Sequence, residues 1–197
     1  MVAVMAVIGL LLTAGLRGLG DTGAQARRSA TDTLIGLVEQ ARSTAITSRS
    51  MVVLALADPG DLPSGDELGR VGLFKINEWP ADSAPLEGVL IRRWQSLPAG
   101  VVILPGAVNG VRNPRDEPAS SIRYRSGNRS NEGRFHIIAF TPRGTLYWPA
   151  GSDPVALRVA EGVYRNGQPS PNIRGGARGV AEYRLRIGRI TARPYLF

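Results

Sequence analysis

Met1 to Leu16 reads MVAVMAVIGLLLTAGL, an uncharged stretch, and the first ionisable side chain is Arg17. As a helix, this run at ~1.5 Å rise per residue covers about 24 Å. A bilayer core of about 30 Å asks for about 20 residues, so the run is short by about one turn. A secretory signal peptide carries a basic segment before its apolar core and a small-residue cleavage site after it. Here nothing basic precedes the run, and the chain continues into helix-compatible sequence. The expectation is a membrane-directed helix built from Val2, Ala3, Val4, Ala6, Val7, Ile8, Gly9, Leu10, Leu11, Leu12, Ala14, Gly15 and Leu16. Gly15, Gly18, Gly20 and Gly23 then weaken the helix at a joint, each by about 1 kcal/mol relative to Ala.

From Ala24 the pattern turns amphipathic. Leu34, Leu37, Val38, Ala41 and Ala45 recur at three- and four-residue spacing, while Asp32, Glu39, Gln40, Arg42 and Arg49 fall mostly on other faces, as in a helix lying on a core. It stops near Ser48 to Ser50, where MVVLALA (51–57) reads as a buried strand ended by Asp58-Pro59-Gly60. Further strands are expected near 70–76, 88–94, 100–104, 121–125, 134–140, 145–148, 154–160 and 180–191. Thr141-Pro142-Arg143-Gly144 is a four-residue turn that makes 134–148 a hairpin. In 180–190, Tyr183, Leu185 and Ile187 alternate with Glu182, Arg184 and Arg186, as in a half-buried antiparallel strand. The expected fold class is α+β. A long N-terminal helix, transmembrane in its first half and amphipathic in its second, precedes an antiparallel β-sheet domain. The divisions are 1–23 for the membrane helix and joint, 24–50 for the amphipathic helix, and 51–197 for the β domain.

Composition narrows the chemistry. With 197 residues the chain is long enough to bury a core without disulfides or metals. It has no Cys, which excludes thiol nucleophiles, Cys-ligated zinc and iron–sulfur clusters, and the lone His136 excludes a His-pair metal site. The net charge of +8 rests almost wholly on arginine, Lys75 being the one lysine. It is unevenly spread: residues 57–111 carry 4 basic and 7 acidic side chains, whereas 158–193 carry 8 Arg against Glu161 and Glu182. A basic C-terminal third suits anionic lipid, acidic partners or nucleic acid, or is simply a solvated surface.

Several motifs dissolve on inspection. Gly18-Leu19-Gly20-Asp21-Thr22-Gly23 spells a dinucleotide-binding G-x-G-x-x-G, but its apolar lead-in is too long for one strand and no further βαβ unit comes after it. Asp21-Thr22-Gly23 also spells the aspartic-protease triplet, yet Arg27 and Arg28 stand close by instead of a second apolar strand. Asp58, Asp61, Asp66 and Glu67 lack the calcium-loop register. His136 alternates with Phe135 and Ile137 and reads as an ordinary strand residue, while Trp79, Trp94 and Trp148 read as core or groove residues. No catalytic, cofactor or metal residue is assigned.

The order of membrane helix, glycine joint, amphipathic helix and β domain resembles the type IV pilin-like family, and more narrowly the H-type minor pseudopilins of type II secretion. GLVEQARSTAITSRSMVVLAL (36–56) is similar to their helix-to-strand junction, and IIAFTPRGTLYW (137–148) to their F-x-P-x-G hairpin. In that family a prepilin peptidase cuts before a motif like FTLVE, and MVAVMAVIGLLLTAG resembles the apolar helix into which that motif runs. The leader, cleavage-site glycine and methylated phenylalanine are then expected before Met1. The resemblance implies a non-enzymatic filament subunit with its C-terminal domain in the periplasm, anchored singly in the bacterial inner membrane and in its lipid. It implies as partners other pseudopilins or pilins, the inner-membrane assembly platform and the peptidase. It also implies an alternative, because related minor pilins of DNA uptake bind DNA through C-terminal arginines. The matching positions here are Arg174, Arg178, Arg184, Arg186, Arg189 and Arg193.

Overall fold

A computed structural model describes residues 22–62, 68–80, 84–126, 129–173 and 179–197. Helix α1 spans Thr22–Ser48. Its sequence has no proline, and its small and apolar residues fall on one side, so Ala30, Leu34, Leu37, Val38, Ala41 and Ala45 are buried. The helix ends in a paired turn: the Arg49 amide donates to the Ile46 carbonyl and the Ser50 amide to the Ala45 carbonyl, both at 3.3 Å. Arg49 takes the left-handed conformation (φ 49°) that closes such a turn.

The strands come next, as β1 (Met51–Ala57), β2 (Arg70–Ile76), β3 (Leu86–Leu90), β4 (Gln95–Ser96), β5 (Val101–Leu104), β6 (Ser120–Ser126), β7 (Arg129–Phe140) and β8 (Leu146–Trp148). The last four are β9 (Val155–Arg165), β10 (Gln168–Pro171), β11 (Glu182–Ile187) and β12 (Pro194–Leu196). One sheet runs β1-β2-β3-β6-β7-β8 with β4 on β2, and β1 also pairs with β7. That extra pairing closes β1, β2, β3, β6 and β7 into a barrel, and its one parallel pair is β3 with β6. The second sheet runs β10-β9-β11-β12 with β5 on β9.

Two main cores result. Inside the barrel lie Val53, Ala55, Phe74, Ile76, Ile122, Phe135 and Ile137, the inward residues of alternating strands. The other core is shared: the helical stripe of α1 meets Val52, Leu54, Ile138 and Phe140 from the barrel's outer face, and Val101, Ile103, Leu157, Val159 and Leu185 from the second sheet. The buried Glu161 of β9 ties down the start of α1, with Arg27 Nε 3.2 Å from its carboxylate.

This architecture corrects the pilin-like expectation. Long helix plus one antiparallel sheet is replaced by a β-rich molecule with one α-helix among the described residues, a closed barrel and a second sheet. Among the described residues no helix is long and apolar enough to cross a membrane. Arg28, Asp32 and Glu39 lie on α1 beside its apolar stripe, so that helix is fitted to a protein core and not to lipid. The transmembrane helix and the single-pass inner-membrane placement are therefore withdrawn. So are the prepilin-type processing and the type II secretion pseudopilin assignment, which rested on the pilin fold. Val2 to Leu16, on which the membrane reading rests, lie outside the described residues, as do Gly18, Gly20 and Asp21.

Candidate functional site

The link between β3 and β4 carries Ile91-Arg92-Arg93-Trp94. It is pinned to β2 at both ends. The Ile91 amide donates to the Leu73 carbonyl at 2.8 Å and the Leu97 amide to the Gly69 carbonyl at 2.9 Å, while Arg70 and Val71 pair with Ser96 and Gln95. Trp94 turns its ring toward the barrel interior and packs edge-on against Phe74 (centroids 5.5 Å, 69°), with Phe135 at 5.1 Å. Gly72 makes room for it: a methyl at that position would sit 2.8 Å from the indole.

Trp94 forms one wall of a groove of about 920 Å³ whose cations are Arg70, Arg92, Arg93 and Arg125. Arg125 arrives from β6 because the parallel pairing sets it opposite Val89. Val89 is 50% exposed, and with the partly buried Leu90 and Ile91 it gives the groove an apolar lining between the guanidinium groups. A second groove of about 480 Å³ shares Arg92, Arg93 and Trp94 and continues past Gln95 to Leu37 of α1. There Arg92 donates to Gln40 Oε1 at 3.1 Å. Among the described residues, no carboxylate lines either groove or lies within ion-pair distance of Arg92, Arg93 or Arg125. Cations placed around a concave surface concentrate their field on whatever enters it.

The C-terminal arginines are arranged differently. Arg184 donates from Nε to Glu182 at 2.8 Å, and Arg158 holds the same carboxylate at 2.9 Å. Burial would raise the Glu182 pKa, but these two bonded cations outweigh it and hold the group below its usual value. Arg189 donates to the backbone carbonyls of Asp153 and Pro149. Burial and the neighbouring Arg112 lower its pKa. Arg186 lies over the rings of Tyr195 (5.8 Å) and Phe197 (5.9 Å). Arg193 is exposed, and Arg174 and Arg178 lie outside the described residues.

A third cluster joins the barrel to the second sheet. Arg115, in a short 3-10 turn over Pro114–Asp116, meets Asp58 in a two-pronged ion pair with Nη1–Oδ1 at 2.8 Å. Burial works against the Arg115 charge, but Asp58 more than restores it and raises its pKa. Burial pushes the Tyr164 phenol well above its ordinary value, with the Asp58 charge adding to it. Asp61 accepts the Asp58 amide at 2.8 Å, and burial raises its pKa. His136 donates through Nδ1 to the Glu117 carbonyl at 3.0 Å, while burial and Arg115 lower its pKa. With its oxygens held by Arg115, Asp58 is a structural anchor. Asp66 and Glu67 lie outside the described residues, and no metal-ligand cluster occurs among the described ones. Trp79 and Trp148 meet 6.1 Å apart on the barrel sheet.

Comparison with protein-family models, curated proteins and solved structures finds no match for this chain. The groove must therefore speak through its own chemistry. Sequence alone does not reveal it, because residues 57–111 are net acidic, and only the fold gathers Arg70, Arg92 and Arg93 with Arg125. The local signal is the dyad Arg92-Arg93 with Trp94 directly after it.

Proposed function

We propose that this protein works by binding and that its ligand is a polyanion held along the arginine groove. The observation that carries the reading is the convergence of exposed Arg92, Arg93 and Arg125 on one concavity with no carboxylate within ion-pair distance among the described residues. Guanidinium groups suit such a ligand because their planar donors meet phosphate or carboxylate oxygens in pairs. The C-terminal arginines offer less, since Arg184 and Arg189 already spend donors on Glu182 and on backbone carbonyls.

The test is a salt titration of binding to polyphosphate, heparin and nucleic acid, with the full chain against R92A/R93A/R125A. Each lost phosphate contact flattens the slope of log K against log salt by about 0.7 to 0.9. The triple variant is expected to lose about 2 to 3 units of slope, while R184A, as control, keeps the wild-type slope. Failure of all three polymers to bind overturns the reading.

A further inference from the structure

The lining of the groove, and not its charge, discriminates among polyanions. Between the cations lie Val89, which is 50% exposed, and the partly buried Leu90, Ile91 and Trp94. A ligand that offers only phosphate, such as polyphosphate or a lipid headgroup, leaves that apolar surface uncovered. Duplex nucleic acid turns its phosphates and sugars outward and keeps its base faces stacked inside, so it too offers the groove little apolar surface. Unpaired bases do offer it: a single strand alternates anionic phosphates with flat, weakly hydrated faces that stack on aromatic side chains.

The shape agrees. The groove runs from Arg125 on β6 past Trp94, and the adjoining one carries it on to Leu37 of α1. Arg92, Arg93 and Trp94 belong to both. A track with its aromatic wall midway suits a flexible chain several nucleotides long. Resting on the polyanion reading, we infer that the ligand of this groove is single-stranded nucleic acid, with phosphates on Arg92, Arg93 and Arg125 and bases against Val89, Ile91 and the exposed edge of Trp94.

The experiment measures fluorescence anisotropy of a labelled dT12 strand, with the corresponding dA·dT duplex and polyphosphate as competitors against the full chain. Tryptophan emission is recorded in parallel. The strand is expected to bind at least 10-fold more tightly than the duplex, and R92A/R93A to lose at least 10-fold of that affinity. Strand binding is expected to quench emission, and W94F, which keeps an aromatic plug in the barrel, to lose most of the quench. Polyphosphate is expected to leave emission unchanged. Equal affinity for strand and duplex, or a quench that survives W94F, overturns the inference while leaving the polyanion reading intact. Absence of binding by every polymer overturns both.

Discussion

Arg115 shows how differently one residue type behaves in this molecule. Its side chain is 5% exposed and its partner Asp58 13%, and the pair bridges the end of β1 to the turn before β6. Removing one member leaves the other charge buried and unpaired, so Arg115→Met is expected to cost about 3 to 5 kcal/mol in urea denaturation. Arg123 and Glu87 are also an ion pair, at 3.1 Å, but the side chains are 49% and 68% exposed. Solvent screens that attraction, and Glu87→Gln is expected to shift stability by no more than about 0.5 kcal/mol. Comparable costs for the two substitutions would show that Arg115 does not anchor the turn before β6 to the end of β1. At this scale the sequence is mute: Asp58 and Arg115 are far apart along the chain, and the acidic loop around Asp58 reads as a solvated turn.

Elements are more legible than residues. Strand β2 lies where its apolar pattern puts it, at Arg70–Ile76, and Gly144, with φ of 76°, closes the Thr141 turn by donating to the Thr141 carbonyl at 2.8 Å. The stripe Leu34, Leu37, Val38, Ala41 and Ala45 is visible by spacing alone and is buried on α1. Leu34, fully buried between the two sheets, is expected to cost about 2 to 5 kcal/mol when cut to alanine. Ile46, at 40% exposure on the same helix, is expected to cost well under half of that in the same unfolding measurement. What spacing does not encode is partnership. Residues 88–94 read as one strand, yet β3 stops at Leu90 and the chain turns through Arg92 and Arg93, because the register against β2 shifts by two residues between Leu90, opposite Phe74, and Gln95, opposite Val71. The parallel contact of β3 with β6 comes from a long connection that visits the second sheet, and no local pattern announces it.

At the scale of the molecule, one apolar core belongs to both sheets and to α1 at once. The barrel is thus not expected to persist without its neighbour. All three tryptophans report on the barrel sheet, packing on its core, whereas far-ultraviolet dichroism sees both sheets. The two signals are expected to give one denaturation midpoint, and midpoints that separate would show two independent units. The groove is also a property of this scale. Arg92 and Arg93 come from the link after β3, and Arg125 from a strand 32 positions further on. The register that pairs Val89 with Arg125 brings them together, which is why a charge count along the chain points to the C-terminal third instead.

The cations of that groove are all guanidinium, and the chain has one lysine, Lys75, which lies on β2 outside the groove lining. Guanidinium stays protonated at every physiological acidity. Lys75 pairs across the sheet with Val89 but does not line the groove, so acylating agents that silence amines find no target in the lining itself. Control over occupancy falls to ionic strength and to the competing anions of the surroundings.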